Sequence, residues 1–206
     1  MITIAIELNH VIRNINKQLL KYYQRDYHPE MDTDDIDVKK ENVLDKYIKF
    51  DSHRARNQFI YIDYPFEIFG AANPMDKNLA RDVTSWMETM SNIEDEEFRI
   101  MYYSLNEDAL SIQSSFFFLS KLGTRVRAII FPKKIDELNG LCDVVVTSNP
   151  NVLEWAKKEG KQTVKITTNG ESPDDTCTFN YDSMEDVIND DKFLDNILKN
   201  RDNNGQ

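Results

Sequence analysis

The chain has 206 residues, 40% of them hydrophobic and 11% aromatic, so it is long enough to bury one sizeable core. With 36 acidic and 25 basic residues its formal net charge is -11, which disfavours nucleic-acid backbones and anionic membrane surfaces as direct partners. No window reaches the roughly 20 apolar residues of a membrane span, and the three histidines and two cysteines lack metal-ligand spacing, so we expect no metal site and a reducing compartment.

The first half of the chain begins with a strand and a helix. Residues Ile2 to Leu8 are mostly apolar, which is typical of a strand in the buried centre of a parallel sheet. Apolar residues at helical spacing predict a helix from Val11 to Tyr27. The segment Met31 to Asp51 is acidic and polar, and Gln58 to Gly70 is aromatic but broken by proline. We therefore expect an insertion here, irregular in structure and with local strand character.

The second half of the chain alternates between helices and strands. Helical patterns cover Asn78 to Met90, Ala109 to Leu122, Val152 to Glu159 and Ser183 to Leu198. Strand patterns cover Phe98 to Tyr103, Arg125 to Phe131, Asp143 to Thr147 and Thr163 to Thr167. The stretch Asn169 to Asp182 is turn-rich. Alternation of this kind predicts a parallel sheet with helices on both faces.

Two segments at strand ends fit the frame of a known pair of motifs. Ile4 to Ile12 reads Ile-Ala-Ile-Glu-Leu-Asn-His-Val-Ile, and Asp143 to Pro150 reads Asp-Val-Val-Val-Thr-Ser-Asn-Pro. With the order of the elements, they resemble the haloacid dehalogenase-like superfamily, and within it the small 5'-deoxyribonucleotidase-like phosphatases, including those carried by phages. In that superfamily the first segment ends in Asp-x-Asp-Gly-Val and the second in Asp-Asp-x-Pro. The residues in place of these four acids are Glu7, Asn9, Thr147 and Ser148.

Two weaker matches complete the resemblance. The superfamily places a Ser or Thr after its second strand, matched by Ser104, and a Lys upstream of its fourth strand, matched by Lys133 or Lys134. The resemblance implies an α/β fold with a Rossmann-like parallel sheet, helices on both faces and an inserted cap. We assign residues 1–25 and 98–206 to this core, and residues 26–97 to an inserted cap or interaction subdomain.

The four replacements bear on the chemistry that the resemblance implies. In the superfamily the first Asp attacks phosphorus beside Mg²⁺, and the second acts as acid and base. Glu7 is one methylene longer than Asp, and a displacement of about 1 Å costs on the order of 100-fold in a positioned reaction. Asn9 cannot transfer a proton, and the two hydroxyl residues supply no charge to a Mg²⁺ site. These replacements predict a pseudo-phosphatase, not an enzyme, without metal or cofactor.

Three functions follow as hypotheses. The first is a catalytically inactive structural or assembly component of a phage virion, found in the virion or in the host cytoplasm, whose partners are virion proteins or further copies of itself. Its interface candidates are the aromatic residues Tyr61, Tyr64, Phe66, Phe69 and Trp86 of the insertion. The second is a Mg²⁺-dependent 5'-nucleotidase-like phosphatase with atypical motifs. The third is a phosphate or nucleotide sensor, in which Ser104 and one of the two lysines hold the anion.

Overall fold

Strand β1 (Ile2–Glu7) has all six residues buried and lies near the middle of a six-stranded parallel sheet. The computed structural model describes residues 1–38, 43–91, 98–123, 126, 128–167 and 172–204. The further strands in this part of the chain are β2 (Arg13–Asn14), β3 (Asn73–Pro74), β4 (Phe98–Tyr103), β5 (Ile129–Ile130), β6 (Val144–Thr147), β7 (Gln162–Ile166) and β8 (Phe179–Tyr181). Strands β2 and β3 pair antiparallel in a separate two-stranded sheet.

The order of the main sheet is β5-β4-β1-β6-β7-β8, and every pairing in it is parallel. From β1 the chain builds β4 and β5 on one side, and it then crosses to build β6, β7 and β8 on the other. The direction of winding therefore reverses beside β1, and ligands of open α/β sheets bind outside the carboxyl ends of the strands at such a point. The predicted α/β fold class is confirmed.

Eight α-helices lie in the described part of the chain. They are α1 (Asn16–Tyr27), α2 (Val43–Lys46), α3 (His53–Asn57), α4 (Leu79–Ser91), α5 (Ala109–Leu122), α6 (Pro150–Lys158), α7 (Met184–Asn189) and α8 (Phe193–Asn204). Helix α5 has the bounds that its sequence predicts, because both ends are capped. Asp108 accepts hydrogen bonds from the backbone amides of Leu110 and Ser111, and Gly123 ends the helix with a φ of 76°.

The chain after β1 differs from the prediction, because the helix begins at Asn16 and not at Val11. His10 has a φ of 65°, in the left-handed region, and its backbone amide donates to the carbonyl of Arg13 at 2.8 Å. The backbone amide of Arg13 in turn donates to Leu8 at 2.7 Å. These bonds close a tight turn that leads into β2, so Asn9 does not cap a helix.

Three other elements differ from their predictions. The segments Gln58–Asp63 and Phe66–Gly70 form π-helical turns and not strands. The predicted helix Ser183 to Leu198 is two helices, α7 and α8, which are separated at Asp190. The predicted strand Arg125 to Phe131 is observed only as β5, and residues 124, 125 and 127 lie outside the described residues.

The core has two parts, one on each face of the sheet. The larger contains Ile4 and Ile6 of β1, and also Phe59 and Phe69 of the insertion. The smaller contains Ala5 of β1 with residues of β4, β6 and α6. The insertion therefore packs its aromatic residues against the larger face of the sheet. Within the described ranges, no helix has both the length and the apolar character required to cross a membrane.

Candidate functional site

The carboxyl ends of three neighbouring strands bring the residues of the sequence motifs together. Glu7 ends β1, Ser104 follows β4 and Thr147 ends β6. Glu7 is paired with Tyr103, and Ile6 with Val146, so the ends of the three strands are level. Parallel register thus places residues from positions 7, 104 and 147 at one edge of the sheet, at the point where its winding reverses.

The carboxyl group of Glu7 is held in a fixed position inside the protein. The residue is only 6% exposed, and its Oε2 accepts a hydrogen bond from the hydroxyl group of Thr147. The backbone amides of Ser148 and Asn149 also hydrogen-bond to it. Burial raises the pKa of Glu7 from its ordinary value of 4.5 to about 7, and these hydrogen bonds only partly offset the shift. Both the protonated and the ionised form are therefore populated near neutral pH.

The buried hydroxyl of Tyr103 and the imidazole of His10 lie at the same edge. Tyr103 is fully buried, and desolvation with the neighbouring Glu7 raises its pKa well above the ordinary value of 10. Burial and the neighbouring Arg13 lower the pKa of His10 to about 4. Neither group changes charge near neutral pH, which leaves Glu7 as the titrating group at this edge.

Arg13 forms a buried polar network that includes Asn9, two residues after the end of β1. Its Nη2 lies 2.7 Å from Oε1 of Glu107, and both side chains are 0% exposed. Its Nη1 donates to Ser115 at 2.6 Å and to the carbonyl of Phe69 at 3.3 Å, while Nε and Nη2 donate to Oδ1 of Asn9 at 3.0 and 2.7 Å. All five N–H groups of the guanidinium are therefore used inside the protein. Arg13 joins the insertion to the sheet and has no donor left for a ligand.

Of the remaining motif residues, Ser104 and Lys133 contact residues of this site, and Lys134 does not. The amide of Asn9 donates to Ser104 at 3.1 Å, so Ser104 pairs with Asn9 and not with an acid. The ammonium group of Lys133 donates to the carbonyl of Glu107. Lys134 is exposed and begins the short 3-10 helix Ile135–Leu138, away from this contact. Of the two lysines, Lys133 is therefore the one that contacts Glu107, and its assignment to the third motif stays a prediction.

No group of three or more His, Cys, Asp or Glu side chains with the spacing of a metal site occurs among the described residues. The carboxylate of Glu107, in the loop after β4, is committed to Arg13 and Ser115. A carboxylate cluster of the kind that binds Mg²⁺ is thus not formed by these residues.

Comparison with known proteins identifies the architecture. No family model matches the sequence, and no curated protein is similar to it. A solved structure described as a dehalogenase matches with a TM-score of 0.54 and 11% identity, over 91% of this chain and 95% of its own. A dehalogenase with an intermediate complex matches with a TM-score of 0.54 and 12% identity, over 90% and 94%.

The chain has the haloacid dehalogenase-like fold. The resemblance seen in the sequence is confirmed at this level. The prediction of a pseudo-phosphatase that is not an enzyme is contradicted, because these two solved structures that match the fold are described as dehalogenases, which are enzymes.

The five aromatic residues predicted as interface anchors differ in how exposed their side chains are. Phe69 is 1% exposed and Trp86 6%, so these two belong to the core and the prediction that they anchor a partner is wrong. Phe69 packs under the Arg13 guanidinium, 4.9 Å from its carbon, and Trp86 contacts Phe193 of α8. Tyr61 and Tyr64 are half-buried. Among these five candidates, Phe66 is the one with an exposed ring, at 47%.

Sequence patterns did not indicate Arg13 and Glu107 as parts of the site. Arg13 lies within a segment whose apolar spacing predicts a helix, and Glu107 is separated from it by 94 positions. A charged residue inside an apolar segment was the available signal. It was insufficient, because nothing in the spacing relates the two side chains before the strands are paired.

Proposed function

We propose that this chain is a hydrolase of small anionic substrates, in which the carboxyl group of Glu7 transfers the proton. The observation that carries the proposal is a buried carboxyl group with a pKa of about 7 at the end of β1, where the winding of the sheet reverses. General acid and base catalysis is most efficient when the pKa of the group lies near the working pH. A perturbed carboxyl at a ligand-binding edge is a strong candidate for such a role.

The contacts of Glu7 fit a two-step proton transfer. In its ionised form the carboxylate accepts a proton from a water molecule as that water attacks the substrate. In its protonated form the carboxyl then gives this proton to the leaving alkoxide of an ester, or to solvent water where the leaving group is a halide ion, which returns Glu7 to its ionised state. The hydroxyl of Thr147 fixes the orientation of Oε2. Since Glu7 is only 6% exposed, substrate entry requires the groups that cover its carboxyl to move.

The substrates to test follow from two sources. The finer resemblance of the sequence, to phage and other 5'-deoxyribonucleotidases, makes deoxynucleoside monophosphates the first class. Two solved structures that match this fold are described as dehalogenases, which makes halogenated short-chain acids the second. Both classes are small and anionic, so both require a local positive surface on a chain whose net charge is -11.

The experiment measures turnover of p-nitrophenyl phosphate, thymidine 5'-monophosphate and 2-chloropropionate by the purified protein, with and without Mg²⁺. We expect Glu7→Gln to lower kcat by about 100-fold or more, the usual contribution of a positioned acid or base. Glu154→Gln, at an exposed position of α6, is the matched control and should retain the activity of the unmodified protein. Equal rates for Glu7→Gln and the control, or no turnover of any of the three substrates, would refute the proposal.

A second candidate function is supported by an exposed aromatic surface. The rings of Phe66 and Phe117 lie 5.0 Å apart and are 47% and 48% exposed. Ile62, Leu110 and Phe116 are also exposed, at 49%, 45% and 50%. We propose this aromatic patch as the contact of an assembly component with other protein chains, in a phage virion or in the host cytoplasm, since clustered aromatics are typical interface anchors.

Co-sedimentation of the protein with the protein assembly that contains it tests this second candidate function. The double variant Phe66→Ala with Phe117→Ala should lose association, because each anchor of this type contributes about 2 kcal/mol or more to binding. Leu141→Ala, at another side chain that is 45% exposed, is the control. Unchanged sedimentation of the double variant would exclude the aromatic patch as the contact.

A further inference from the structure

A cavity of about 820 Å³ lies between the first part of the insertion and the loop that follows β4. Its volume falls in the range of roughly 300 to 1,000 Å³ that is usual for small-molecule sites. The wall includes Arg54, Arg56, Tyr61, Ile62, Asn106 and Asp108. Glu7 is not among the described residues that line the cavity, so a ligand held there is not a substrate on which Glu7 acts.

The positive part of the wall belongs to the insertion. Arg54 is exposed and Arg56 is half-buried, both on α3, and neither forms an ion pair with a carboxylate of the described residues. A guanidinium group matches the two oxygens of a carboxylate with two parallel hydrogen bonds. On a protein with a net charge of -11, this pair of arginines indicates that the ligand carries an anionic group.

The negative part of the wall belongs to the sheet domain. Asp108 ends the loop after β4 and caps α5. Its Oδ1 accepts hydrogen bonds from the backbone amides of Leu110 and Ser111 and from the hydroxyl group of Ser111. Its Oδ2 accepts no hydrogen bond from a described residue, so this oxygen stays available to a donor in the cavity. Asp108 therefore indicates that the ligand carries a cationic group as well.

Tyr61 lies near both charged parts of the wall. Its ring stacks on Phe69 at 5.7 Å and 14°, which fixes its position. Burial raises the pKa of its hydroxyl group most, and Glu107 raises it further, whereas of the charged groups in the cavity wall Arg56 lowers this pKa and Asp108 raises it. Because both charges act on one hydroxyl group, Arg56 and Asp108 are close enough to contact a single small ligand.

We propose that this cavity binds a free aromatic α-amino acid. The carboxylate of the ligand pairs with the two arginines, its ammonium group pairs with Oδ2 of Asp108, and its ring lies against Tyr61 and Ile62. A ligand with a negative charge alone leaves Asp108 unpaired beside that charge, which selects against it. The bound amino acid joins the insertion to the sheet domain, and it does so independently of the reaction proposed for Glu7.

Isothermal titration of the full chain with three related compounds tests this inference. L-phenylalanine carries both charged groups, 3-phenylpropionate lacks the ammonium group, and phenethylamine lacks the carboxylate. We expect L-phenylalanine to bind about 10-fold or more tightly than either of the other two, because each of them loses one charge-assisted contact. Absence of L-phenylalanine binding would overturn the inference, and so would equal affinity for L-phenylalanine and 3-phenylpropionate, which is the result for a simple anion site.

Variants of the wall assign the two contacts separately. Arg54→Ala and Arg56→Ala should each weaken the binding of L-phenylalanine by about 10-fold and leave that of phenethylamine unchanged. Asp108→Asn retains a good N-cap residue for α5 and removes the charge. It should weaken the binding of L-phenylalanine by about 10-fold without weakening that of 3-phenylpropionate. Arg81→Ala, at an arginine of α4 whose side chain is 77% exposed, should bind like the unmodified protein.

The outcomes separate this inference from the proposed function. Glu7→Gln should bind L-phenylalanine with unchanged affinity, because Glu7 does not line the cavity. Binding of L-phenylalanine that is weakened in the arginine variants and in Asp108→Asn supports the inference even if no substrate is turned over. Equal affinity of these variants and the unmodified protein for L-phenylalanine would overturn it, whatever the hydrolysis assays show.

Discussion

Arg13→Met is expected to lower the free energy of unfolding by about 3 to 5 kcal/mol, because it leaves the carboxylate of Glu107 buried and unpaired. Both partners of this ion pair are 0% exposed, and the guanidinium also donates to Ser115, Asn9 and the carbonyl of Phe69. A loss of this size is a large part of the roughly 5 to 15 kcal/mol by which a folded domain is stable. Urea unfolding followed by circular dichroism measures it.

Two further variants make this prediction specific. Arg25→Met removes the exposed partner of Asp26, at a side chain that is 54% exposed, and should leave the free energy of unfolding nearly unchanged, because solvent screens the pair. The double variant Arg13→Met with Glu107→Leu removes both buried charges, and it should recover most of the lost stability. The account of Arg13 fails if the single variant behaves like Arg25→Met, or if the double variant is less stable than the single one.

Glu7→Gln is expected to remove a pH-dependent loss of stability. The folded state raises the pKa of Glu7 from 4.5 to about 7, so it favours the protonated form. The contribution of Glu7 to stability is therefore complete below about pH 4.5 and is lost as the pH rises through about 7. The total loss is on the order of 3 kcal/mol. Glutamine stays neutral, so the variant should gain stability over the unmodified protein between pH 5 and pH 8.

The difference in stability between Glu7→Gln and the unmodified protein, taken at each pH, reports the titration of Glu7 alone. His10 and every other titrating group are present in both, and their contributions cancel when the two stability curves are subtracted. Glu154→Gln, at the exposed position of α6, should follow the unmodified protein at every pH. A difference between Glu7→Gln and the unmodified protein that is constant from pH 5 to pH 8 would show that Glu7 does not titrate in this range.

Much of the sheet was predictable, because its signals are local. The apolar runs that became β1, β4 and β6 are continuous in the sequence, and parallel strands buried on both faces require this. Helix α5 was predicted with its observed bounds because its caps lie within one turn of its ends. The position of Glu7 at a strand end followed from the same patterns.

The features that were missed depend on contacts between distant residues. The apolar spacing from Val11 onward is that of a helix, yet the left-handed His10 closes a tight turn, and the pairing of β2 with the distant β3 keeps the next residues extended. The π-helical turns of the insertion pack against α5, which the sequence pattern cannot show. The burial that raises the pKa of Glu7 also depends on distant residues, because Thr147 and Tyr103 lie beside it only in the folded sheet.

The central claim is that Glu7 is a titrating carboxyl group at the site, and a carbon-13 NMR titration of its side-chain carboxyl carbon tests this most directly. Glu7→Gln identifies the resonance, because the signal disappears in that variant. The account predicts a titration midpoint at about pH 7, with the folded structure retained. A midpoint close to 4.5, the ordinary value for glutamate, would contradict the claim and remove Glu7 as the group that transfers a proton near neutral pH.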